Sequence, residues 1–106
     1  MQKTACDELD DVIWSDLCNG KSGVFLGALF IAHKNGSASI ASIRDHAAKR
    51  RDEHRVIFEQ LSRAMSEVEF PDGVELLVMH HDLLYQRYNE AFVACECVFD
   101  GVMTWT

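Results

Sequence analysis

Five histidines are the side chains best suited to chemistry in this chain, and two of them, His80 and His81, are adjacent. Successive residues of a helix point about 100° apart, so these two rings cannot face one metal ion together. The pairings of the other histidines with nearby acids do not reproduce the His-Glu-x-x-His layout of a zinc protease. The histidines therefore predict neither a metal site nor a cofactor.

The cysteines and serines also lack a catalytic arrangement. Cys95 and Cys97 are two residues apart, unlike the Cys-x-x-Cys spacing of zinc and redox sites, and on a helix they point to different faces. We interpret the cysteines as small core residues. No serine lies in a Gly-x-Ser-x-Gly turn, and the sequence has no glycine-rich phosphate loop. We therefore predict that the protein is not an enzyme.

The charge of the chain argues against nucleic acid as a direct partner. The formal net charge is -7, from 17 acidic and 10 basic residues, whereas binding to a phosphate backbone requires a surplus of Lys and Arg. The densest basic segment, residues 49–55, is interleaved with acids at spacings that favour local ion pairs. We interpret this segment as a solvated charged face or, alternatively, as the rim of a protein interface.

The sequence also predicts no membrane span and no export. The longest apolar run, Val24–Ala32, is far shorter than the roughly 20 residues that a transmembrane helix needs. Met1 is followed by Gln2, Lys3 and a run of acids, whereas a signal peptide begins with a basic stretch and an apolar core. We expect a cytoplasmic protein with reduced thiols.

A tight turn between two long helices is the clearest local prediction. Residues 70–73 read Phe-Pro-Asp-Gly, and Pro71 disfavours helix at the residue before it. Asp72 is suited to cap the next helix, with Glu75 placed for a capping box. Ser39 is a plausible cap for the preceding helix.

The segments on either side of this turn have matching apolar seams. Apolar or small residues alternate at spacings of three and four, which is typical of a helix that faces a partner helix. We therefore predict a long antiparallel hairpin, in which His54 and His81 are polar seam residues that set the register. The first seam consists of Ile40, Ile43, Ala47, Arg50, His54, Ile57, Leu61, Ala64 and Val68, and the second of Leu77, His81, Leu84, Tyr88, Ala91, Cys95, Val98 and Val102.

One or two short helices are expected before the hairpin. Thr4 can cap a first helix that Asn19 and Gly20 end. The run Val24–Ala32 is compatible with a strand or a buried helix, and we favour a helix because the sequence offers no second strand to pair with it. The prediction is one all-α domain over residues 1–106, with short helices in 1–36 and the hairpin in 37–102.

A second apolar stripe flanks the seam of the last helix. Tyr85, Phe92 and Phe99 recur every seven residues, and one partner helix covers only one stripe. With Trp14, Trp105 and the Val24–Ala32 run, this leaves more apolar surface than a small monomer usually exposes. Either the first two helices fold back over the stripe, or a homodimer buries it through these three aromatic residues.

Two helical segments resemble quorum-sensing antiactivators of the TraM and QslA kind. The residues that carry the resemblance are 43–46 (Ile-Arg-Asp-His) and 57–61 (Ile-Phe-Glu-Gln-Leu), followed by a short connector and a helix over 74–102. The likeness covers roughly residues 37–102, and the first 36 residues have no counterpart in it. It implies a helical homodimer that binds a LuxR-type (LasR-like) transcription activator and prevents its dimerisation or its binding to DNA, without a cofactor.

The residues expected to contact this partner come from the apolar pattern and not from the family. They lie near the end of the hairpin that is far from the turn, where a partner could reach them: Phe25, Leu29, Phe30, Ile40, Ile43 and Ala47. Two other classes of function stay open at this point. One is another small acidic binding module, antitoxin-like or phage-encoded, and the other, with less support, is a small metal-dependent enzyme.

Overall fold

The structure, a computed structural model, describes residues 4–20, 23–36, 39–65, 67 and 72–99, with the side chains of residues 72, 98 and 99 left out. Every element in this part of the chain is an α-helix. The helices are α1 (Ala5–Asn19), α2 (Val24–Asn35), α3 (Ser39–Met65) and α4 (Asp72–Phe99). The prediction of an all-α fold, with a helix at 24–32, is confirmed.

The ends of the two short helices follow local sequence signals. Thr4 caps α1: its side chain accepts a hydrogen bond from the Asp7 backbone N–H, and the Asp7 carboxylate accepts one from the Thr4 N–H. Gly20 ends α1 with a φ of 64°, and Gly36 ends α2 with a φ of 94°. Both values are in the region that glycine adopts without the steric cost of a Cβ atom.

The first residues of the two long helices differ in part from what the sequence indicated. Ser39 is the first residue of α3, and its hydroxyl donates to the carbonyl oxygens of Ala32 and Gly36, at 3.3 and 2.7 Å. The side chain therefore ties α3 to the end of α2, and the prediction that it caps α3 is wrong. The predicted turn at 70–73 falls largely outside the described residues. Helix α4 begins at Asp72, and the capping box of Asp72 and Glu75 stays a prediction.

Helices α3 and α4 pack along each other in antiparallel order. Contacts between side chains run from Arg44–Glu96 at one end, through Arg51–Asn89, to His54–His81. Residue numbers rise on α3 as they fall on α4, which is the order that an antiparallel hairpin requires. This is the most extensive helix pairing in the molecule.

Helices α1 and α2 fold back onto one half of this hairpin. Helix α2 packs mainly against α4, and α1 packs against α2 and α3. At Gly27 a Cβ atom would lie 3.1 Å from Val12 Cγ1, so glycine allows α1 and α2 to approach closely. Together the four helices enclose one core, whose buried residues are Leu9, Ile13, Val24, Ala28, Leu29, Ile31, Ala32, Ile40, Ile43, Ala47, Leu84, Tyr88, Ala91, Ala94 and Cys95.

The run Val24–Ala32 is covered mainly within the subunit. Five of its residues are buried inside the subunit, which leaves mainly Leu26 and Phe30 exposed. The sequence left two ways to cover the surplus apolar surface. For most of this run, the cover comes from the first two helices folding back onto the hairpin.

The molecule divides into two regions with different burial. We call the four-helix part the base: it comprises α1, α2, residues 39–47 of α3 and residues 84–99 of α4. We call the rest of the hairpin, residues 48–65 and 72–83, the arm. All fully buried residues of the described chain lie in the base. The molecule is elongated, with principal extents of 54 × 27 × 25 Å.

None of the described helices combines the length and the apolar character needed to cross a bilayer.

Candidate functional site

Large apolar side chains on the surface are the main feature of the molecule that its own fold leaves unexplained. On α2, Leu26 and Phe30 lie one turn apart and are 70% and 68% exposed. On α4, Leu76 is 68% exposed and Met79 is 55% exposed. Contiguous exposed apolar surface of this kind is typical of protein interaction sites. The other exposed large apolar residues in the described part are Trp14, Val56, Leu77, Leu83 and Val93.

Four of the six predicted partner-binding residues lie inside the base. Ile43 and Ala47 have no exposed surface, Ile40 is 3% exposed and Leu29 is 8% exposed. These side chains face the core because α1 and α2 cover the end of the hairpin that the sequence pattern left open. In this conformation they cannot touch a partner.

The other two predicted contact residues lie on α2. Phe25 is half-buried and packs against the core, whereas Phe30 points outward. Phe30 is therefore the predicted partner residue that the fold leaves accessible, and its role in binding stays a prediction.

The predicted dimer residues lie along one flank of α4. Phe92 is half-buried beneath Arg51, whose guanidinium carbon is 4.6 Å from the ring centroid, so part of this stripe is already covered within the subunit. Tyr85 is half-buried and, with Arg55, Phe58, Glu59 and Asp82, lines an open cleft of about 280 Å³ between α3 and α4. The side chain of Phe99 lies outside the described residues.

A partly buried polar contact joins α1 to both long helices. Asp10 Oδ1 accepts a hydrogen bond from the Tyr88 hydroxyl at 2.5 Å and one from His46 Nε2 at 2.9 Å. Burial, the hydrogen bond to Asp10 and the charge of that carboxylate raise the pKa of Tyr88 well above its ordinary value. The hydroxyl therefore stays protonated and remains a donor, which makes this contact a structural tie between α1 and the hairpin.

The two seam histidines meet where the base joins the arm. His54 Nδ1 and His81 Nδ1 are 3.0 Å apart, and the His54 ring also stacks on Tyr88 with centroids 5.8 Å apart. A hydrogen bond between two imidazole nitrogens requires one of them to be unprotonated. Burial is the largest cause of the lowered pKa in both rings. The nearby His81 lowers the pKa of His54 next, Glu53 opposes this, and Arg50 and His80 contribute less, while His80 also lowers the pKa of His81.

This placement confirms that His54 and His81 are seam residues, and their role in setting the register stays a prediction. His80 points elsewhere, against Trp14 of α1, with ring centroids 5.6 Å apart. Among the described residues no group of three or more His, Cys, Asp or Glu side chains is placed to hold a metal ion. His46, His54, His80 and His81 each contact a side chain of another helix.

The basic segment of α3 forms the local ion pairs that its spacing predicted. Arg50 pairs with Glu53 at 3.2 Å, and Arg55 pairs with Glu59 at 3.2 Å. Arg51 differs, since it reaches across to Asn89 at 3.3 Å and covers Phe92. The segment is therefore partly a solvated face and partly a contact between the long helices.

The cysteines occupy different environments and are free of disulfides. Cys95 is buried in the core, and burial raises its pKa to about 11, so it is an unreactive thiol. Cys6 and Cys97 are partly exposed and Cys18 is exposed. The interpretation as core residues is confirmed for Cys95 and is wrong for Cys18.

Comparison of the chain with protein-family models, with curated proteins and with solved structures finds no match. The resemblance to quorum-sensing antiactivators therefore stays a prediction.

Proposed function

We propose that this protein is a non-catalytic regulator that acts by binding another protein, and that its partner is a LuxR-type transcription activator whose dimerisation or DNA binding it prevents. The observation that carries the first part is the set of large apolar side chains, on α2 and on α4, that the completed fold leaves exposed. The choice of partner rests on the sequence resemblance of residues 37–102. We place the protein in the cytoplasm, where it would meet such an activator.

The charge of the chain supports an indirect effect on DNA. With a net charge of -7, the protein is repelled by a phosphate backbone. It would lower the occupancy of the promoter by mass action, because binding to the free activator removes it from the equilibrium that forms the DNA-bound dimer. This mechanism needs neither a cofactor nor a catalytic residue.

We also propose that the protein forms a homodimer through the flank of α4 that carries Tyr85, Phe92 and Phe99. The cleft beside Tyr85, which combines two aromatic side chains with Arg55, Glu59 and Asp82, provides a concave surface for a second copy. Sedimentation velocity of the full chain tests this part, since a dimer that a Tyr85→Ala substitution dissociates would support it. A protein that sediments as a monomer at all concentrations would contradict it.

A gel-shift experiment with a purified LuxR-type activator and its promoter DNA tests the function. The expected result is that the protein removes the activator from the DNA in a concentration-dependent manner and forms a complex with it in size-exclusion chromatography. The protein alone should not shift the DNA. An activator–DNA complex that is unchanged at a large excess of the protein would refute the proposal.

A further inference from the structure

We propose that one face of α4, which we call the outer stripe, binds a basic amphipathic helix of the partner protein. The outer stripe consists of Leu76, Met79, Leu83, Gln86, Glu90 and Val93. This inference rests on the proposed function, to which it adds the surface and the chemistry of the partner. The proposal rests on an exposed apolar repeat along α4 that has acidic residues within it and beside it.

The outer stripe has the spacing of a helix-binding surface. Its positions alternate at intervals of three and four, as in a seam that packs against another helix. From Leu76 to Val93 it extends for about 26 Å. The exposed fractions of Leu76, Met79, Leu83 and Val93 are 68%, 55%, 39% and 42%. These side chains therefore form an apolar row that Gln86 and Glu90 interrupt and that the described helices leave at least 39% exposed.

The outer stripe is distinct from the seam within the subunit. The seam residues Leu84, Tyr88, Ala91 and Cys95 are buried against the other helices. Leu83, Gln86, Glu90 and Val93 lie one or two residues from the nearest seam residue along the chain, and so are turned about 100° or more from it around the helix axis. Trp14, 51% exposed, stacks near His80 beside the stripe and adds an aromatic side chain to this surface.

The charge around the outer stripe is negative. Glu75 and Asp82 directly precede two of its leucines, and Glu90 is part of it. Arg87 is the single basic residue of α4, and its side chain is 15% exposed and pairs with Glu90 at 3.4 Å. A partner helix with Lys or Arg beside its apolar face complements this border, and charge complementarity of this kind favours both specificity and rapid association.

A second copy of the chain fits the outer stripe poorly. In a two-fold antiparallel pairing of this face, the end that holds Glu75 and Asp82 approaches the end that holds Glu90 of the other copy. Like charges would then meet across an interface without exposed bases of α4 to compensate them. The dimer proposed above uses another flank of α4 and is compatible with an outer stripe that stays free.

The test measures binding to the purified activator and to a synthetic peptide. The peptide is an amphipathic helix of roughly 18 residues, the length of the stripe, with leucines on one face and lysines beside them. A peptide with glutamates in place of the lysines is the control probe. The protein variants are Leu76→Gln with Leu83→Gln, both exposed positions, and Val56→Gln as the control, since Val56 is 51% exposed but lies on α3 of the arm. Circular dichroism checks that each variant keeps its helices.

The expected result is that the double substitution weakens binding of both the activator and the lysine peptide at least about tenfold, as loss of central apolar contacts does. Val56→Gln should bind as the wild type does, the glutamate peptide should not bind, and added salt should weaken the lysine peptide. If the double variant binds the activator normally, the outer-stripe inference is overturned while the proposed function stands.

Two other outcomes separate the proposals further. Binding of the lysine peptide without any binding of the activator would support the outer stripe and overturn the choice of partner. A wild-type dimer that the double substitution dissociates in sedimentation velocity would show that a second copy occupies the stripe, and this would overturn the inference.

Discussion

The base and the arm are built from the same two long helices, yet only the base buries side chains completely. Ile43 and Ile57 are both seam residues of α3, but Ile43 has no exposed surface whereas Ile57 is only half-buried. The difference arises because a pair of helices covers one stripe on each of them, and further helices are needed to cover the remaining faces. In the base, α1 and α2 supply that cover.

This contrast separates the region that supplies most of the stability from a region that buries little apolar surface. The free energy of folding is concentrated in the base, where the apolar area is removed from water. The arm leaves Leu76, Leu77 and Met79 at the surface, where a partner can reach them. Its sparse burial also means that the arm should open locally at lower free energy than the base.

The largest expected effect comes from the same substitution made in each region of α3. Replacing Ile43 by Ala removes a fully buried side chain, and we expect a loss of about 3 kcal/mol in the free energy of unfolding. Ile57→Ala in the arm should cost about 1 kcal/mol, because part of that side chain is in water already. Urea denaturation followed by circular dichroism measures both. Equal losses at the two positions would show that the base is not the main source of stability.

The next effect concerns the tie between α1 and the hairpin. Tyr88→Phe removes the hydroxyl that donates to Asp10, and a hydrogen bond to a charged group contributes about 2 kcal/mol. Tyr85→Phe, compared at concentrations low enough to keep the chain monomeric, is the matched control, because in the subunit Tyr85 lines an open cleft where water can replace its contacts. We expect less than about 0.5 kcal/mol for the control. If both variants lose the same amount in urea denaturation, the Asp10 contact does not stabilise the base.

A third effect is the pH dependence of stability at the junction of the base and the arm. The pKa values of His54 and His81 are lowered from 6.5 in the folded protein, so the unfolded chain binds protons more readily. Stability should therefore be complete above pH 6.5 and should fall as the pH decreases from 6.5 through the lowered values. We expect a modest change, because both rings are partly exposed and water screens their repulsion.

Urea midpoints at neutral pH and at mildly acidic pH measure this effect, with His81→Gln for comparison. Because the variant differs from the wild type only at His81, the difference between the two pH profiles reports the histidine pair. A variant whose midpoint falls as steeply as that of the wild type would show that the pair does not control the acid sensitivity.

Local sequence signals predicted the elements of this fold better than their assembly. The ends of α1 and α2 depend on Thr4, Gly20 and Gly36, whose effects are limited to neighbouring residues. The seams of the long helices follow from the helical spacing of apolar residues. Leu77 was expected in the seam and is 50% exposed. The spacing of apolar residues indicates which face could be buried, but not how far along the hairpin the covering helices extend.

The contacts that sequence analysis missed are those between distant residues. Asp10 contacts residues 36 and 78 positions away, and no local pattern indicates that this acid of α1 would meet His46 and Tyr88. For the same reason, the predicted contact residues Ile40, Ile43 and Ala47 were placed at an open end of the hairpin. The position of α1 and α2 over that end is a property of the whole fold, and it is what buries them.

The smallest expected effect compares two arginines that lie one turn apart on α3. Arg55 forms an exposed pair with Glu59, with side chains 62% and 48% exposed, and pairs of this kind contribute about 0.5 kcal/mol or less. Arg51 is 20% exposed, contacts Asn89 and covers the Phe92 ring. Its stacking and its apolar stem should contribute about 1 kcal/mol. Urea denaturation of Arg51→Ala and Arg55→Ala measures the difference, which should persist in high salt, because salt screens the exposed pair more than the covered ring. If Arg55→Ala is the more damaging of the two, the contact of Arg51 with α4 does not stabilise the hairpin more than an exposed ion pair does.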